Sequence, residues 1–171
     1  MKYLYAITEL LVTFLLSIAI LVSLYKIILL YLKARSNTTV PHNQAFFIFC
    51  AGVYLSAGLI FSTALDPLLL TIKMTYDRHA DIVSNVGTAV GYTLMFFTIT
   101  YLFVLFVQLA TLFLFDKVTV MIDDVKEVIE NNIGFAWFVS AALVFTSLIS
   151  RIGITAILEA LVPHPEVINI F

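Results

Sequence analysis

Charge is what this chain has least of. Only 12% of its 171 residues are Asp, Glu, Lys or Arg, and the formal net charge is −2; soluble domains carry roughly a quarter. The scarcity excludes a surface built for water, and the near-balance excludes the basic footprint that nucleic-acid binding needs. Cysteine is limited to Cys50, so no internal disulfide forms and no redox compartment is indicated. Cys50 lies in an apolar run and reads as a small packing residue. The three histidines, His42, His79 and His164, stand apart. Asp77 and Asp81 flank His79, short of the converging ligands a metal site requires. With six glycines there is no phosphate-cradling loop, and neither a His-Glu-x-x-His helix nor a nucleophile elbow is present. The expectation is a protein that is not an enzyme and uses no cofactor or metal.

What fills the chain is apolar. It is 62% hydrophobic, with a mean hydropathy of +1.08. A bilayer-spanning helix takes about 20 such residues, so four spans and their loops account for the whole length. The first is 7–32, with Glu9 near its start and Lys26 and Lys33 marking its far end. Lys2 ahead of an apolar stretch resembles a signal peptide, but the stretch far exceeds the roughly 7–15 residues of an h-region and reads as a retained span. The second, 45–65, carries no charge and has small residues at Gly52, Ser56, Gly58 and Ser62. Asp66-Pro67 closes it, and proline's bias against a helical residue before it predicts a break or kink there. A polar loop, 75–85, leads to the third span, 87–115, and the fourth covers 133–161 with Arg151 and Glu159 inside.

Between the last two spans, Val118, Met121, Ile122, Val125, Val128 and Ile129 recur at spacings of three and four. That pattern predicts an amphipathic helix over 116–132, lying on the membrane surface or against a neighbouring subunit. Its polar face is acidic, with Asp123, Asp124, Glu127 and Glu130, and is the expected docking surface for a soluble partner.

The chain also repeats. Placing Asn43 on Asn132 brings Ala45 onto Gly134, Phe46 onto Phe135 and Gly52 onto Ala141. Each copy, about 7–72 and 87–161, reads as a long span, a polar linker, an asparagine and a small-residue helix. Two spans per copy make these parallel rather than inverted repeats. Small residues let helices approach closely in lipid, so Gly52, Ser56, Gly58, Ser62 and Ala141 are the expected packing positions, with spans two and four innermost. The fold expected is an all-α, four-span membrane bundle forming a single integral domain. Asn43-x-Ala45, with Gly52 and Ser56 following, and the second copy VKEVIENNIGFAWFVSAAL resemble the YjfL-type family of small bacterial inner-membrane proteins. That resemblance implies a tandem two-helix unit with no established reaction. The chain departs from the family's glycine or alanine at Ser56 and at Phe145.

Basic residues favour the cytoplasm. Lys26, Lys33, Arg35, Lys117 and Lys126 fall on one side against Lys2, Lys73 and Arg78 on the other, which places both termini in the periplasm. Charges inside spans cost roughly 2.5–3.5 kcal/mol near a helix centre. Glu9, Asp66, Arg151 and Glu159 lie toward one membrane side and form a candidate intramembrane network, read either as a structural ion pair or as an ion or proton path. The leading functional expectation is a non-enzymatic inner-membrane subunit, homo-oligomeric or bound to a partner. The alternative is a channel or transporter subunit using that network.

Overall fold

Apolar runs this long can hide their peptide groups from lipid only by bonding within themselves. Every regular element among the described residues is accordingly helical. The computed structural model describes residues 2–36, 42–76, 82–119 and 124–162. In chain order these form α1 (Lys2–Ser36), α2 (Gln44–Phe61), α3 (Leu65–Tyr76), α4 (Ile82–Val118), α5 (Asp124–Ile129) and α6 (Ile133–Ala160), with a 3-10 turn, Ser62–Ala64, joining α2 to α3. Four stretches are long and apolar enough to cross a membrane: Thr13–Ser36, Gln44–Met74, Val86–Val118 and Ile133–Ala160. This is an all-α, multi-pass membrane protein.

The predicted break at Asp66-Pro67 does not occur. The chain stays helical through Pro67, and the irregularity lies a turn earlier, in the 3-10 segment. Proline at position 67 cannot donate to the carbonyl four residues back, Thr63, which lies in that tightened turn. The second span therefore runs on to Met74.

Helices α2 and α6 run parallel and form the closest pair. A Cβ built on Gly52 would lie 2.5 Å from Ser140 Cβ and 2.7 Å from Ser140 Cα. Only glycine permits that approach, and it lets Ser140 Oγ donate to the Ile48 carbonyl across the interface at 3.0 Å. The exposed Ala141, aligned with Gly52 by the repeat, does not make this contact; its neighbour Ser140 does.

The N-termini of α2 and α6 lie at one end of the bundle, clasped by asparagines. Asn43 and Asn132 each cap their helix, accepting from Phe46 N at 2.8 Å and Phe135 N at 3.1 Å. Asn43 Nδ2 also donates to the Val128 and Ile129 carbonyls, at 3.1 and 3.0 Å. Those carbonyls end α5, where helical partners run out. Asn131, at φ 63°, closes α5 in the left-handed region that asparagine tolerates, with backbone bonds Asn131 N to Val128 O and Asn132 N to Glu127 O. Its side chain returns the favour to α2 by accepting from Ala45 N at 3.0 Å. The α1 and α4 C-termini meet at this same end, where Arg35 forks onto both carboxylate oxygens of Asp116 at 3.0 and 3.1 Å.

The amphipathic helix is shorter than its pattern and faces elsewhere. Only Asp124–Ile129 is helical; Val118 ends α4, 82% exposed, and Met121 and Ile122 lie outside the described residues. Val125 and Val128 are buried with Leu32, Phe46, Phe49 and Val139. The apolar side of α5 thus packs on the chain's own α1, α2 and α6, not on a neighbouring subunit.

Candidate functional site: a buried polar layer

The interior divides into two apolar clusters. One, toward the asparagine end, includes Ile28, Phe46, Phe49, Val53, Leu112 and Leu143; the other includes Leu24, Ala57, Ile60, Phe96, Val104 and Ile154. Between them, α2, α4 and α6 each contribute polar side chains. Gln108 is 6% exposed, and its Nε2 donates to the Val53 carbonyl and to Ser56 Oγ, both at 3.0 Å. Ser56 Oγ donates in turn to Val53 O at 2.9 Å. On the other side of α4, Thr111 and Thr146 join hydroxyls at 2.9 Å, so α4 is bonded to α2 and α6 at one level. Ser56 lies about 20 Å along from the Asn43 cap and Ser147 about 22 Å from Asn132. Both depths are inside a hydrocarbon core roughly 30 Å thick.

Ser147 completes the layer and differs from the rest. It is wholly buried, yet its Oγ has no hydrogen-bond partner. Elsewhere the threonines bond back along their own helix: Thr93 to Ala89 O and Thr100 to Phe96 O. Such back-bonding leaves no outward-facing donor, and Thr98 is exposed.

The expected site residues scatter. Asp66 and Glu159 are exposed and Arg151 half-buried, and among the described residues none of the three makes an ion pair. Asp66 sits about 34 Å along from Asn43, and Arg151 about 28 Å along from Asn132. These are distances at which a span reaches the headgroups. The side chain of Glu9 lies outside the described residues, as does the Asp77-His79-Asp81 group. Of the small residues, Gly52 and Ser56 are buried between helices. Gly58 meets nothing within 4 Å, and Ser62 and Phe145 are exposed. On the linker, Glu127 accepts from Asn132 Nδ2 at 2.6 Å and Glu130 lies 3.6 Å from Lys126. Asp123 and the side chain of Asp124 lie outside the described residues. Among the described residues no three His, Cys, Asp or Glu side chains come together as metal ligands.

Residues 2–154 match the family described as Domain of Unknown Function (DUF350). The chain belongs to that family. No curated protein and no solved structure matches it. The match covers α1 to α5 and most of α6, so the polar layer and the asparagine clasp of this DUF350 chain both fall within the family's extent. Reasoning from the sequence missed Ser147, Thr146 and the Arg35–Asp116 pair. Of these, Ser147 was available from spacing, since Ala136, Ser140, Leu143, Ser147, Ile154 and Leu158 recur as one buried stripe.

Proposed function

We propose that this chain is a non-enzymatic membrane subunit that acts by association, foremost with further copies of itself, rather than by passing a solute through its own bundle. The observation that carries the reading is the filling of the interior. Phe46, Phe96, Leu143 and Leu158 are fully buried. The buried Ser56, Gln108, Thr111 and Ser140 spend their hydrogen bonds joining one helix to another. A core closed in this way leaves recognition to the outer surface.

Because α5 turns Val125 and Val128 inward, Lys126 and Glu130 face out. With Asp123, Asp124 and Glu127 they supply the acidic docking surface at the asparagine end. The two asparagine-capped helices, running parallel, support a tandem duplication of one two-helix unit. Lys26, Lys33, Arg35, Lys117 and Lys126 favour the cytoplasm for the 33–44 and 116–131 linkers, in a bacterial inner membrane with periplasmic termini.

The test is the particle mass of the full chain in lipid nanodiscs, with vesicle flux of protons and monovalent cations measured in parallel. More than one copy per particle and no flux above empty vesicles is the expected result. A monomer at every protein concentration, or selective flux that Asp66→Asn or Arg151→Gln abolishes, overturns the reading.

A further inference from the structure

Away from the polar layer, α1 and the α2–α3 segment stand apart and leave a groove of about 590 Å³. Its walls are Leu10, Phe14 and Leu21 from α1 and Tyr54, Gly58 and Leu65 from α2 and α3. The hydroxyls on its rim are already used. Thr13 Oγ1 donates to Leu10 O, Ser17 Oγ to Thr13 O and Ser62 Oγ to Leu59 O, each within its own helix. Apart from the Tyr54 hydroxyl, the groove therefore offers its occupant mainly apolar contact.

Its length identifies the occupant. From Tyr54 to Leu65 the helix rises about 16 Å, the depth of one leaflet in a hydrocarbon core roughly 30 Å thick. Tyr54 is about 16 Å from the Asn43 cap, so the groove starts near the bilayer middle and ends at the boundary opposite the asparagine clasp. A spanning helix from a second copy would need the whole thickness. Leu65, which closes the groove at the boundary, is followed in the chain by Asp66. Asp66 is exposed and makes no ion pair among the described residues. A carboxylate at headgroup depth complements an ammonium and repels an anionic head.

We propose that this groove is a binding site for one acyl chain of an amine-headed phospholipid, with Asp66 selecting the headgroup at its mouth. The inference does not depend on whether the chain self-associates.

The full-length protein is reconstituted in vesicles of equal parts phosphatidylethanolamine and phosphatidylglycerol and extracted into mild detergent. Retained lipid is then read by native mass spectrometry. The wild type should keep one lipid per chain, enriched in phosphatidylethanolamine over the vesicle composition. Gly58→Phe fills the groove from a position where a Cβ meets nothing within 4 Å, and Ser17→Phe fills it from the facing wall. Either substitution should cut the single-lipid adduct about tenfold. Asp66→Asn should keep the adduct and lose its headgroup enrichment. The proposal falls if the wild type retains no lipid, if both filling variants retain as much as the wild type, or if Asp66→Asn leaves the enrichment unchanged. It also falls if Gly58→Cys forms a disulfide between two copies in the membrane, because the groove would then be a contact between subunits.

Discussion

The contact between Gly52 and Ser140 makes a sharp prediction, because two opposing effects of one methyl group can be weighed. Alanine is favoured over glycine in a helix interior by about 1 kcal/mol. Against this, a Cβ at position 52 would lie 2.7 Å from the Ser140 Cα, a backbone atom that moves only if α6 moves. Overpacking of that kind costs about 1–3 kcal/mol. Separating the helices also stretches the Ser140–Ile48 bond, 3.0 Å long, which is worth about 0.6 kcal/mol in a membrane bundle. Gly52→Ala should therefore destabilise by about 0.6–2.6 kcal/mol. Gly58→Ala, in the same helix but meeting nothing within 4 Å, should gain up to about 1 kcal/mol.

The assay is unfolding of the purified protein in mixed micelles on titration with a denaturing detergent. The single tryptophan, Trp137 on α6, reports the transition by its fluorescence. Ser140→Gly in the Gly52→Ala background removes the contacts with Ser140 Oγ and Cβ but leaves the one with its Cα, so it should recover only part of the loss. If Gly52→Ala is as stable as Gly58→Ala, the two helices do not approach as described.

The remaining predictions use the same unfolding assay. Asn43→Ala should lose a cap worth about 1 kcal/mol together with two bonds to α5 carbonyls, so it should cost about 2–3 kcal/mol, while Asn132→Ala, at an exposed cap, should cost about 1. Asn43→Asp keeps the acceptor but turns a carboxylate toward the Val128 and Ile129 carbonyls, and should be no better than alanine. Gln108→Leu keeps the volume and loses both bonds to α2, for a cost of about 1 kcal/mol. Ser147→Ala removes a buried hydroxyl that has no partner and should be neutral or stabilising by about 1 kcal/mol; a clear loss would reveal a bond that the structure lacks. Arg35→Gln should cost at most about 1 kcal/mol and lose that effect in high salt, because its side chain is 39% exposed beside Asp116.

The sequence was most informative where one physical demand dominates. Lipid requires long uncharged helices, and the existence and order of the four spans follow from that demand; Ile133 opens both the predicted fourth span and α6, while the second span runs on to Met74 instead of ending at 65. Asn43 and Asn132 stood out in the sequence as the residues that open the second and fourth spans, but that each caps its helix is a finding of the structure. Legibility stopped where the partner matters. The periodicity of Val125 and Val128 shows that α5 has an apolar side, but the same periodicity would serve a membrane surface, another subunit or, as here, the chain's own core. Charged residues misled for a related reason. A charge inside a hydrophobic stretch counts as intramembrane only if the stretch ends where the bilayer does, and α3 carries the second span on past Asp66.

The small-residue stripe shows the same limit at finer grain. Gly52, Ser56, Gly58 and Ser62 look alike on the page, yet Gly52 and Ser56 are buried between helices while Gly58 and Ser62 line the open groove. A helix turns 100° per residue, so Gly58, six residues after Gly52, projects about 120° away around the circumference. Two helices paired by an exact duplication would set Gly52 against its counterpart Ala141 or exchange contacts symmetrically. Instead Gly52 meets Ser140, and its neighbour Ala51 is exposed, as is Ala141. Nor is the clasp symmetric. Asn43 reaches across to the carbonyls that end α5, whereas Asn132 reaches only to Glu127 within its own unit. Those differences leave α2 in the centre, bonded to α4 through Gln108 and to α6 through Ser140, and leave the outer face of α2 toward α1 unfilled. One face of α2 thus serves packing against α4 and α6, while the other, carrying Gly58 and Ser62, lines the open groove.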